Sequence, residues 1–273
     1  DWAAGELARK HSKPFFHAVG IFRPHIPWYA PEKYFDLYPK DKVFLPKILK
    51  DDLQDVPAHG HYGIRKQWHK WLVENNQWRE AVRGYLASIS FADAQVGRLI
   101  DALDKSPHAK NTIIVLWSDH GMHIGEKQQW EKFTLFEEST RVPLIIVAPG
   151  ITKPGTICDQ PVNLLDVYPT LNELCSLPAR KDLDGISLVK LLKKPETKWA
   201  RPSITTWGKG NHAARGQRYR YIRHPNGEEQ LYDHKTDPNE FTNLADKPEL
   251  TEVKERLAKW LPKTNANPVR NKK

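Results

Sequence analysis

Five consecutive apolar residues, Ile113-Ile114-Val115-Leu116-Trp117, constrain this chain most, because they follow closely on a long amphipathic helical pattern. A run without polar alternation suits a strand covered on both faces, where neither side of the pleat meets water. Val142–Val147 is a second such run. The helical pattern spans roughly Gln77 to Lys105, with Trp78, Val82, Tyr85, Leu86, Ile89, Val96, Leu99, Ile100 and Leu103 at three-four spacing. Buried strands separated by helices predict an α/β fold with a largely parallel sheet flanked by helices. Asp93 falls on the apolar stripe between Ile89 and Val96, and is expected to be a core carboxylate with a hydrogen-bond partner.

Upstream, Trp2 and Leu7 against Glu6, Arg9 and Lys10 predict an opening helix, and Pro14–Gly20 reads as a short buried strand. The next stretch, Phe22-Arg23-Pro24-His25-Ile26-Pro27-Trp28-Tyr29-Ala30-Pro31, has too many prolines for a helix or a central strand. Its large apolar side chains mark it as an ordered loop, where sites tend to sit. Beyond Ser203 the texture changes. A first strand is expected at Ser203–Trp207, and Tyr219–Arg223 and Glu229–Asp233 flank Asn226-Gly227, a hairpin signal whose two positions favour positive φ. A final helix is expected from an Asp246 N-cap, burying Leu250, Val253, Leu257, Trp260 and Leu261. The predicted division is therefore 1–200, part of a large α/β domain, and 201–273, a small C-terminal α+β subdomain with antiparallel strands.

Hydrophobic residues make up 39% of the chain and charged residues 27%, enough for a packed core. No apolar run approaches the ~20 residues of a membrane span. The net charge of +9 suits an anionic partner, but Arg270, Lys272 and Lys273 of the tail supply part of it. No stripe of arginines interleaved with aromatics argues for nucleic acid. Cys158 and Cys175 do not form a C-x-x-C pair, which leaves their pairing open. The chain opens at Asp1 directly inside a helical pattern, which suggests a C-terminal fragment of something longer.

Ser118-Asp119-His120-Gly121 stands just after the first buried strand. Ligands in open α/β sheets bind beyond the carboxyl ends of strands. Asp119 offers a hard oxygen and His120 a nitrogen, half of a metal site, although a capped turn would use the same residues. Downstream, Lys132 is suited to an anion's oxygens and His123 is a second nearby histidine. His25 is braced by prolines within its loop and could donate to an anion or protonate a leaving group. Packing against Trp28 and Tyr29 is its structural alternative.

Jointly these segments resemble the sulfatase family of the alkaline phosphatase superfamily, and within it the iduronate-2-sulfatase-like branch. The resemblance runs through Phe15–Pro39 with Arg23-Pro24-His25-Ile26-Pro27, Ala92-Asp93-Ala94-Gln95-Val96-Gly97, Ser118 to Lys132, Arg141-Val142-Pro143-Leu144 and Leu231-Tyr232-Asp233. It implies sulfate-ester hydrolysis on a sulfated carbohydrate, with His25 and Lys132 at the sulfate as catalytic and binding groups. Asp119 and His120 would be ligands of calcium, with magnesium or manganese left open because His120 stands where many sulfatases have Asn. His123 is an alternative to His25 at the leaving group. The resemblance also implies a formylglycine nucleophile made from Cys or Ser. Neither Cys158-Asp159-Gln160-Pro161 nor Cys175-Ser176-Leu177-Pro178 matches that motif, so the nucleophile is expected in a missing N-terminal segment and the chain alone is expected to be inactive. A periplasmic, secreted or lysosome-like location goes with the family. The competing readings are a phosphatase or phosphodiesterase of the same superfamily, and a non-catalytic glycan-binding relative. In the C-terminal part, Gly208-Lys209-Gly210-Asn211-His212 is a candidate loop for substrate selection, with His212 as its binding residue.

Overall fold

The computed structural model describes residues 1–267; Arg270, Lys272 and Lys273 lie outside them. Two compact units are present, Asp1–Lys47 with Lys66–Ile113, and Ile48–Arg65 with Ile114 onward.

In the first unit, α1 (Trp2–Ala8), α2 (Glu32–Phe35) and α3 (Lys66–Glu74) pack on the long α4 (Trp78–Asp104). The opening helix and the long helix lie where the periodicity puts them. Gly84 sits mid-helix because a Cβ there would lie 3.3 Å from the Cβ of Trp28. Trp28 reaches it from the proline-rich loop and donates its indole N–H to the Pro24 carbonyl at 3.0 Å. Arg23 donates to the Tyr29 and His25 carbonyls, and Arg83 to those of Tyr38 and Phe35, so the loop is ordered by hydrogen bonds. Two expectations fail here. Pro14–Gly20 is not a strand, and Phe16 is 84% exposed: a strand needs a hydrogen-bonded neighbour, and this segment has none among the described residues. Asp93 is exposed rather than buried, because the buried side of α4 is narrower than its apolar stripe.

The second unit holds β1 (Ile114–Trp117), β2 (His123–Ile124), β3 (Trp130–Glu131), α5 (Glu137–Thr140) and β4 (Leu144–Val147). β1 pairs with β4 antiparallel, Ile114 opposite Val147 and Trp117 opposite Leu144. The parallel pairing expected of these two runs is absent because the chain between them contains no long crossover helix. β1 and β4 are also not covered on both faces: Trp117, Ile145 and Val147 are 51%, 54% and 44% exposed.

After α6 (Val167–Leu174) and α7 (Val189–Lys193) comes a four-stranded antiparallel sheet: β5 (Ser203–Thr206), β6 (His212–Arg215), β7 (Tyr219–Arg223) and β8 (Glu229–Asp233). Alternation along these strands sends neighbouring residues to opposite faces. Ala213, Ile222 and Tyr232 pack with Leu53, Val56, Leu135 and Phe136 on one side, while Ala214, Tyr221 and Leu231 pack with Ala245, Leu257 and Leu261 on the other. The second face is closed by α8 (Thr251–Ala258). Asp246 is not its cap; a short 3₁₀ turn at Pro248–Leu250 leads into it, and Trp260 stays 43% exposed. The β7–β8 hairpin forms as expected, but only Gly227 has positive φ, at 88°. Its N–H bonds to the His224 carbonyl, as in a longer loop ending in a left-handed residue.

Candidate active site

β1 ends at Trp117, and the next residues turn sharply. Ser118 Oγ donates to the His120 carbonyl at 3.0 Å, and the Gly121 N–H donates to the Ser139 carbonyl at 2.9 Å. Gly121 is required by this close approach: a Cβ there would sit 1.9 Å from the Glu138 carbonyl oxygen. The turn leaves the Asp119 side chain 77% exposed, with Oδ2 3.7 Å from His120 Nε2. His120 Nδ1 lies 2.7 Å from the Gly121 carbonyl, so Nδ1 donates there and Nε2 is the ring nitrogen beside Asp119. A ring oriented through a backbone carbonyl, with its second nitrogen beside a carboxylate, fits a divalent cation. Two donors are fewer than the six to eight a calcium ion takes, so the pair fits as part of a site.

Lys132 follows β3, which pairs with β2 through His123 opposite Glu131. Glu131 and Phe133, on either side of Lys132, have φ of 69° and 75°. Left-handed geometry in two non-glycine residues is costly and persists only where surrounding contacts impose it. Buried Gln129 is one such contact. Its Nε2 donates to the Lys132 carbonyl at 2.8 Å and to the Gly63 carbonyl at 3.2 Å, while its Oε1 accepts the Arg65 N–H at 2.6 Å. The Lys132 ammonium lies 5.3 Å from the Phe133 ring centre.

His123 has no exposed surface, which is at odds with a substrate contact. Its Nε2 is 2.8 Å from Thr134 Oγ1, which donates to Ser139 Oγ at 2.9 Å. Burial pushes the ring's pKa down to about 4, so it is neutral. His212 is 3% exposed at the start of β6, between Thr206 Oγ1 and Asn265 Oδ1, each at 2.8 Å. Asn211 is likewise buried and bonded to His224, while exposed Lys209 reaches Asn267. Within the candidate selection loop Gly208 and Lys209 are exposed while Asn211 and His212 are buried, and His212 lines a recess shared with Lys209, Arg223 and Asn265. His25 belongs to the first unit. It is exposed, with Nδ1 2.6 Å from the Ile26 carbonyl and its ring 4.9 Å from that of Phe22.

Beneath the Lys132 segment lies a charged core that no sequence pattern signals, because its members are far apart along the chain. Arg220 bonds Glu240 Oε1 at 2.5 Å and also Glu137, and His234 Nε2 lies 2.9 Å from Glu240 Oε1. Burial alone would raise the Glu240 carboxyl, but Arg220 and His234 outweigh it and hold its pKa at about 2. Glu137, His234 and Glu240 are close enough to hold a metal, but Arg220 and Arg215 already neutralise the two carboxylates. Together these groups form a buried ion-pair network. Nearby, burial and the neighbouring Glu240 raise the Glu138 carboxyl to about 8.

A profile described as sulfatase matches residues 1–177, and one described as N-sulphoglucosamine sulphohydrolase, C-terminal, matches residues 125–267. The chain belongs to the sulfatase family. It is 42% identical to a sulfatase of Formosa agariphila over 97% of this chain and 53% of that protein. It is 33% identical to human iduronate 2-sulfatase over 68% of this chain and 36% of that one. A solved structure of a protein in complex with its substrate D-glucosamine-2-N,6-O-disulfate superposes with a TM-score of 0.67 at 20% identity, covering 87% of this chain and 62% of that one. The sulfatase fold here is thus the alkaline-phosphatase-like α/β type, with the antiparallel sheet in its C-terminal part. The chain spans about half the length of the curated relatives it matches.

Proposed function

We propose that this chain contributes the metal pair Asp119–His120 and the sulfate-binding residues Lys132 and His25 to a sulfatase that hydrolyses sulfate esters on a sulfated carbohydrate. The observation that carries the reading is the His120 ring, tied through Nδ1 to a backbone carbonyl with Nε2 turned to Asp119 at the end of β1. A divalent cation held there, calcium by resemblance with magnesium or manganese left open, supplies Lewis-acid polarisation of a sulfate oxygen. The chain's own residues do the rest. The Lys132 ammonium, on a backbone held by Gln129, offsets charge on the sulfuryl oxygens. His25, with Nδ1 engaged by Ile26, would deliver a proton to the leaving oxygen from Nε2. Cys158 and Cys175 are exposed free thiols that do not match the nucleophile motif the resemblance implies. The glycan assignment follows iduronate 2-sulfatase and the disulfated glucosamine of the solved complex. A periplasmic, secreted or lysosome-like location accords with it, and no helix among the described residues is long and apolar enough to cross a membrane.

The test is made on the whole protein that contains this chain. Elemental analysis and turnover of an aryl sulfate are compared between wild type and Asp119→Asn. Loss of both metal and turnover with the fold retained is expected; unchanged metal content would remove Asp119 from the site.

A further inference from the structure

The surroundings of Lys132 contain more than a sulfate contact requires. The Phe133 ring takes the Arg65 guanidinium at 5.2 Å from its centre on top of the Lys132 ammonium. Trp207, which follows β5, lies against the same ring at 5.0 Å, and Tyr62 continues the row 6.3 Å from Trp207. Tyr62 is 61% exposed and the Arg65 side chain 50% exposed. Three distant stretches of sequence meet here, and the meeting is built in. Gly63 has φ of 92°, and a Cβ on it would stand 2.1 Å from the Phe133 carbonyl oxygen, so only glycine lets the 59–65 segment lie this close. Gln129 bonds both sides of the junction, and Arg65 NH1 reaches Glu131 at 3.2 Å.

Exposed aromatic faces suit the apolar face of a sugar ring, and a guanidinium fork suits a carboxylate or sulfate. We propose that Tyr62, Trp207 and Arg65 form a subsite beside Lys132 for the sugar adjoining the sulfate ester, with Arg65 binding a second anionic group on that sugar. The inference rests on the sulfatase reading above and deepens it, since it makes charge on the neighbouring sugar a determinant of specificity.

Three disaccharides distinguish the outcomes, each carrying a sulfonate isostere in place of the scissile ester so that none is consumed. The neighbouring sugar bears a carboxylate in the first, a sulfate in the second and no charge in the third. Affinities are measured by calorimetry on the whole protein, with aryl sulfate turnover followed in parallel. Wild type is expected to favour at least one charged disaccharide over the neutral one by about tenfold, the scale of a hydrogen-bonded charge. Arg65→Gln should bring that ratio near one, Arg65→Lys should keep part of it, and Tyr62→Ala, at an exposed position, should weaken all three alike. Equal wild-type affinity for the three compounds, or an undiminished ratio in Arg65→Gln, overturns the subsite. A charge preference that depends on Arg65 in a protein without aryl sulfate turnover would support the subsite and overturn the sulfatase reading instead.

Discussion

Glu240→Gln is the most informative single change in the charged core. The Glu240 carboxylate has no exposed surface and accepts from Arg220 Nε at 2.5 Å, His234 Nε2 at 2.9 Å and the Glu137 N–H at 2.9 Å. Gln keeps the shape and removes the charge, leaving buried Arg220 with Glu137 as its anionic partner. Stranding one member of a buried pair costs roughly 3–5 kcal/mol, and the surviving Glu137 contact puts this case near ~3. The pH dependence gives an independent figure. A folded pKa of about 2 against the ordinary 4.5 means that the folded state binds fewer protons across that window. The contribution is therefore complete above pH 4.5 and is lost as pH falls toward 2, and about 2.5 units correspond to ~3 kcal/mol. Urea denaturation of the full chain, followed by tryptophan fluorescence, should show the variant ~3 kcal/mol weaker at pH 7, with the gap narrowing between pH 4.5 and 2. A variant within 1 kcal/mol of wild type at pH 7, or a gap indifferent to pH, would refute the reasoning.

Further outcomes follow from the site. Lys132→Ala should lower kcat on an aryl sulfate by about 100-fold with a smaller change in KM, as for charge stabilisation that grows in the transition state; near-normal kcat/KM would remove Lys132 from the catalytic site. Gly121→Ala should cost more than ~2 kcal/mol and release metal, because its Cβ meets the Glu138 carbonyl; a stable variant with full metal content would contradict the turn geometry. His123 has a folded pKa lowered from 6.5 to about 4 by burial, so stability should fall as pH drops through that window by up to ~3 kcal/mol. His123→Gln should flatten that slope in an acid titration followed by circular dichroism.

The parts legible in the sequence are those set by neighbours along the chain. The three-four spacing of α4 is a local property, and so is a strand that delivers Asp119 and His120 at its end. What failed depends on partners. Pro14–Gly20 has the composition of a strand, but pairing makes a strand, and no described neighbour pairs with it. Two apolar runs signal strands without fixing direction; the connection between β1 and β4 decides that they run antiparallel. Asn226-Gly227 marks a turn, but Asn226 is not among the positive-φ residues, and the connection from Arg223 to Glu229 is longer than two residues. His212 looks like a loop residue because β6, which begins with it, has no distinctive alternation; in the sheet it turns inward between Thr206 and Asn265. Gln129, Tyr62 and Arg65 carried no signal, since their importance comes from meeting segments remote in sequence.

The same contrast explains how one half-buried lysine comes to be held by so much buried polarity. Two left-handed residues around Lys132 cost of order 1–3 kcal/mol each, and local sequence offers nothing to offset that. The offset comes from three sets of bonds around the loop. Gln129 fixes the Lys132 carbonyl from one side. Thr134, two residues on, is bonded to His123 and Ser139, and Ser139 in turn receives the Gly121 N–H from the Ser118–Gly121 turn. Arg220 and Glu240 then take the Leu135 carbonyl and the Glu137 N–H at 3.0 and 2.9 Å, carrying the constraint into the four-stranded sheet. A break at any of these points should let residues 131–133 relax toward ordinary backbone geometry and move Lys132 while leaving the lysine itself intact. The charged core of the C-terminal sheet is thus joined by hydrogen bonds to the segment that carries Lys132 and to the Asp119–His120 turn.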